Sequence, residues 1–172
     1  MSTGGQGTGW AMPVLVGAVA LSGAAAWLVL EGRMRAAGGA TAAAGALLVV
    51  GGRGAERGGR PLERIADSLA DRAFDGAVLG TIAWAARQAR PATALGALVA
   101  LAAAFLGAYV RARGASLGYG VEESAKTRGL RYLLITAGLA LDQLAWTVWA
   151  VAGVSALASA VRASQVAKEE RA

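Results

Sequence analysis

Apolar residues run along this chain in long blocks, separated by short breaks that are basic or rich in glycine. Pro13–Leu30 and Ala92–Val110 contain no charged residue. At about 1.5 Å per helical residue, each is close to the length that crosses a hydrocarbon core about 30 Å thick. The pattern predicts six helices, over roughly 11–30, 36–51, 62–87, 91–112, 125–141 and 143–162. A polar tail, 1–10, precedes them and a solvated tail, 163–172, follows. Pro61 and Pro91 suit the first turns of the third and fourth segments, where the missing N–H has no partner to lose. Between the second and third segments, Gly51–Gly59 reads as a flexible basic loop at the membrane surface; it lacks the strand, Lys and Ser/Thr of a P-loop. The break at Leu141-Asp142-Gln143 is tight, and Asp142 there reads as a solvated turn acid or helix cap. The expected fold is therefore all-α: a single polytopic membrane domain, 11–162, built as a bundle of about six transmembrane helices.

Composition supports the same class. Of the 172 residues 56% are hydrophobic and 16% charged, against roughly 25% charged in an ordinary soluble domain. Small residues dominate the apolar blocks, which in lipid lets helix backbones approach closely. Gly23, Gly38, Gly45, Gly76, Gly80, Gly96 and Gly107 are the candidates for such contacts. The five Trp residues read as interface or packing aromatics.

The net charge of +6 would suggest nucleic acid in a soluble protein. Here the basic residues lie between apolar blocks, where anionic headgroups and phosphate-bearing substrates are the natural partners. With the N-terminus inside, the even-numbered connections and the tail gather twelve Lys and Arg between Arg53 and Arg171, against Arg33, Arg35, Arg87 and Arg90 opposite. That bias predicts a multi-pass protein of the cytoplasmic membrane with both termini in the cytoplasm. Met1–Gly9 has no basic residue and does not read as a cleaved signal peptide. With no His and no Cys, zinc sites, disulfides, Ser-His-Asp triads and thiol nucleophiles are excluded.

The chemistry concentrates in the third segment. Asp67, Asp71 and Asp75 are spaced i, i+4, i+8, so on a helix each advances about 40° and all share one face. Glu63 extends that face by a turn. Unless the face is simply solvated, like charges this close raise one another's pKa or are neutralised by cations. A hard divalent ion such as Mg2+, which favours carboxylate and phosphate oxygen, would serve; so would internal arginine, with Arg60, Arg64 and Arg72 near in sequence.

Two stretches resemble the CDP-alcohol phosphatidyltransferase family, especially its phosphatidylglycerophosphate-type and phosphatidylinositol-phosphate-type synthases. Ile65-Ala-Asp67-Ser-Leu-Ala-Asp71-Arg72-Ala-Phe-Asp75 is similar to the second half of the family signature, D-x-x-D-G-x-x-A-R, about eight residues, then G-x-x-x-D-x-x-x-D. Ala108-Tyr109-Val110-Arg111-Ala112-Arg113, followed by Lys126-Thr127-Arg128-Gly-Leu-Arg131, is similar to the basic segment joining the family's fourth and fifth helices. The first half departs from the pattern: strict spacing puts its two Asp at Ala46 and Val49 and its Arg at Gly54, with Glu56 the sole acid nearby and Arg53 or Arg57 a shifted remnant.

The resemblance implies a homodimeric membrane transferase that moves a phosphatidyl or other substituted phosphate group from a CDP-linked lipid donor to an alcohol acceptor, releasing CMP. It implies Mg2+ or Mn2+ held by Asp67 and Asp71, with Asp71 as the base for the attacking hydroxyl, and Arg111, Arg113, Arg128 and Arg131 holding phosphate. Glu63, which stands where the family has Gly, and Asp75 are further candidate metal ligands on the same face, and Arg57 is a further candidate for phosphate. It places this site on the cytoplasmic side. Two other readings fit the same residues: a catalytically impaired homologue serving as partner or regulatory subunit of an active synthase, or a small cation transporter.

Overall fold

A computed structural model of the chain describes residues 10–58, 60–119 and 125–169; the expected polar tail before Trp10 and the end of the C-terminal tail lie outside them. The described residues are six helices with no strand: α1 (Ala11–Leu30), α2 (Met34–Gly58), α3 (Pro61–Ala86), α4 (Pro91–Ser116), α5 (Ala125–Ala140) and α6 (Leu144–Glu169). Four of them, α1, α2, α4 and α6, are long and apolar enough to cross a membrane. The other two are the ones that carry the candidate site, α3 because of its acids and α5 because it is short and begins basic.

Two boundaries differ from expectation. Gly51–Gly58 is not a loop but the last two turns of α2. Its glycines are packing positions: a Cβ at Gly51 would lie 2.8 Å from Leu15 Cδ2, and one at Gly52 would lie 2.8 Å from both Arg128 Nη1 and Asp67 Oδ1. Close approach between helices, and not backbone freedom, explains them. The sixth helix also continues past the expected end at 162 to Glu169. The α5–α6 break is as tight as expected, with Asp142 exposed and in the left-handed region at φ 54°.

The helices close into a ring. In spatial order α1 packs on α2, α2 on α5, α5 on α6, α6 on α4, α4 on α3 and α3 back on α1, with a further contact between α2 and α3. Across the middle, α3 and α5 face each other without any pair of Cα atoms coming within 8 Å. The gap between them is bridged by side chains. The apolar core, which includes Leu15, Leu48, Phe74, Ile82, Ile135 and Val148, fills the rest of the interior.

Of the small-residue contacts expected from the sequence, Gly38, Gly45, Gly96 and Gly107 do lie against neighbouring helices, at Ala140, Tyr132, Val148 with Trp149, and Ser159 with Arg162 respectively. Gly23, Gly76 and Gly80 face open space. The outer surface is apolar, with Val16, Leu98, Leu106 and Leu157 more than half exposed, as a lipid-facing surface requires. Trp27, Trp84 and Trp146 are 58%, 60% and 80% exposed. All three lie near the α1–α2, α3–α4 and α5–α6 turns, which suits an aromatic belt at one membrane interface.

Candidate functional site: a buried carboxylate–guanidinium cluster

Pro61 opens α3 in the position where its ring is tolerated, and the helix then turns its acidic face inward. Asp67, Asp71 and Asp75 are buried, the last two completely. The cluster lies in the half of the bundle that holds the first turns of α3 and α5 and the last turns of α2, α4 and α6, the end where the sequence is richest in arginine.

From across the gap, α5 presents Arg128, Arg131 and Tyr132, spaced i, i+3 and i+4 and so on one face. Arg128 Nη1 donates to both carboxylate oxygens of Asp67, at 3.2 and 3.1 Å. Its Nε lies 3.3 Å from Asp71 Oδ2. Arg131 bridges the next two acids, with Nε 3.1 Å from Asp75 Oδ1 and Nη2 3.9 Å from Asp71 Oδ2. Arg72, from α3 itself, places Nη2 3.4 Å from Asp71 Oδ2 and 3.6 Å from Asp75 Oδ2. Its Nη1 donates to the carbonyl of Ala104 on α4 at 3.1 Å, and its guanidinium lies over the Phe105 ring, 5.7 Å from the centroid. The Tyr132 hydroxyl donates to Asp71 Oδ1, and the Tyr132 ring meets Phe74 edge-on at 4.8 Å. Asp71 is thus the hub, held by one hydroxyl and three guanidiniums.

The other expected site residues stand apart. Glu63, although buried, accepts the backbone N–H of Arg60 at 3.0 Å. That makes it an N-terminal cap for α3, the role its place three residues after Arg60 and two after Pro61 signals. Arg57 and Arg113 are exposed on the last turns of α2 and α4, and Arg111 is half-buried on α4. Glu56 is exposed on α2. Arg64 and Arg60, expected with Arg72 as neutralisers of the ladder, are exposed as well; Arg128 and Arg131 of α5 supply that charge beside Arg72. Arg72, the third arginine expected as a neutraliser, does reach Asp71 and Asp75; Tyr132 is the member that the sequence does not single out.

The donor set was compared with the Mg2+ or Mn2+ implied by the family resemblance. A hard divalent ion needs several carboxylate oxygens converging on one point and the remaining positions open to water or phosphate. Here the three carboxylates are already matched by three guanidiniums. A Cβ at Gly52 would lie 2.8 Å from Asp67 Oδ1, and Glu56, the acid of α2, is exposed, so that helix brings no acid to the cluster. Among the described residues no group of three acidic side chains is disposed to hold a metal ion. In this arrangement the residues do not fit the ion. Comparison of the chain with protein-family models and with curated proteins gave no match.

Proposed function

We propose that this chain is a non-catalytic bundle of the CDP-alcohol phosphatidyltransferase type, acting as a partner or regulatory subunit of an active synthase in the cytoplasmic membrane, with the cluster and both termini toward the cytoplasm. The observation that carries this reading is the closure of the cluster. Asp71, the residue that the resemblance makes the base, is wholly buried and engaged on both oxygens. An acid so engaged has to give up a partner before it can meet an alcohol and take its proton. The same three guanidiniums stand against a cation path through the bundle. A homodimer belongs to the same proposal.

The test uses the full chain purified in detergent, with Mg2+ or Mn2+, a CDP-diacylglycerol donor and a panel of alcohols. The expected result is no CMP release with any acceptor, together with co-purification of an active synthase from native membranes. CMP release that disappears in Asp71→Asn would refute the reading.

One observation favours the transferase itself as a second reading. Beside the cluster, a polar cleft of about 10 Å³ is lined by Arg72, Thr127, Arg131, Ser155 and Arg162; its wall has the charge that a phosphate group needs, and its space holds one water until the helices part. Under that reading the CDP-linked donor and alcohol acceptor are this chain's own substrates, and CMP release in the same assay decides for it.

A further inference from the structure

The α3 ladder looks like a metal site in sequence and is closed like a structural core in space, and this disagreement has a physical content of its own. Three carboxylates on one helix face, inside an apolar bundle, need positive charge close by if they are to stay ionised. Both available remedies place cations among the oxygens, and they compete for the same lone pairs. Guanidinium is planar, permanently charged and forks onto carboxylate oxygens. Arg128 sets one nitrogen, Nη1, 3.2 and 3.1 Å from the two oxygens of Asp67, and Arg131 and Arg72 span Asp71 and Asp75. A divalent ion entering the cluster would have to displace a guanidinium and leave it buried without its counter-charge, which is the expensive outcome for an ion pair in an interior.

Gly52 contributes to the same end. With no side chain there, α2 lies close enough that even a methyl group would meet Arg128 Nη1 and Asp67 Oδ1 at 2.8 Å. An alanine there would require Arg128 Nη1 and Asp67 Oδ1 to shift. The glycine of α2 and the arginine of α5 are therefore complementary parts of one arrangement.

We infer that Arg72, Arg128 and Arg131 are the resident counter-cations of the ladder and keep divalent ions out of it, so that this protein folds and works without a bound metal. The inference rests on the non-catalytic reading of the cluster and deepens it. It concerns the ion alone: a chain that releases CMP without binding metal overturns the proposed function and leaves this inference standing, whereas metal binding without CMP release does the reverse.

Mn2+ is the probe. The full chain in detergent is titrated with Mn2+ and the free ion is read from its paramagnetic resonance signal, for the native sequence, for Arg128→Gln and for Arg128→Gln combined with Asp71→Asn. The native chain is expected to leave the free signal unchanged. Arg128→Gln, which leaves one more acid than guanidinium, is expected to bind Mn2+ at least about tenfold more tightly than the native chain, and Asp71→Asn in that background is expected to abolish the gain. Native binding that Asp71→Asn removes overturns the inference. So does an Arg128→Gln chain that folds and still ignores Mn2+, because arginine is then not what excludes the ion. Should Arg128→Gln fail to fold, Arg131→Gln carries the same comparison.

Discussion

Asp71 is the residue on which the cluster turns, and its replacement is the most costly point change expected. Asp71→Asn leaves three guanidiniums facing two carboxylates and should destabilise the bundle by about 3–5 kcal/mol, the range for breaking a buried ion pair on one side. Unfolding in mixed micelles monitored by tryptophan fluorescence measures it. Tyr132→Phe removes only the hydroxyl donated to Asp71 Oδ1 and should cost about 1–3 kcal/mol in the same assay. Gly52→Ala should cost about 1–3 kcal/mol by overpacking against Arg128 and Asp67. At this scale the sequence was informative where it was periodic. The i, i+4, i+8 spacing places the three Asp residues on one face, and the basic stretch that opens the fifth segment contains two of their partners, Arg128 and Arg131. Tyr132 carried no separate signal, because one Tyr in an apolar helix resembles any packing aromatic; its place one turn from Arg128 and next to Arg131 becomes informative only when the opposing helix is known. Glu63 was read as part of the ladder by the same periodicity that made it a cap, and the Pro61 before it was the sign that pointed to the second role.

Helix termini were harder to place than helix interiors, for a physical reason. Glycine and arginine are poor helix or membrane residues by composition, so α2 was expected to end where they begin. In fact the glycines of its last turns are required by neighbours: Leu15 at Gly51 and the cluster at Gly52. Backbone amides of 51–58 should therefore exchange with deuterium as slowly as the preceding turn, and not at loop rates, when followed by mass spectrometry. The opposite adjustment occurs at the α5–α6 turn. Asp142 holds φ 54°, a conformation that costs an L-residue roughly 1–2 kcal/mol and glycine little. Asp142→Gly should raise the melting temperature slightly, since the side chain is exposed and has no packing to lose.

For the molecule as a whole, the sequence conveyed the class of fold and the number of helices, because long uncharged blocks admit few alternatives. It could not convey which helices are neighbours. The ring order, with α5 between α2 and α6 and across from α3, depends on side-chain shapes that periodicity does not encode. Orientation is testable directly because the chain has no cysteine: single cysteines at Arg57 and Arg113 should react with an impermeant maleimide only from the cytoplasmic face, and one at Arg90 only from the other. The ring also sets an order on assembly. Asp67 and its partner Arg128 are 61 positions apart in the chain, so a ribosome delivers the anionic helix to the bilayer well before the cationic one exists. Until α5 emerges, α3 has Arg72 but lacks two of the three guanidiniums that match its acids. A nascent chain halted after α4 should accordingly stay at the insertion machinery or be degraded, and the arrival of α5 is the moment at which the bundle locks.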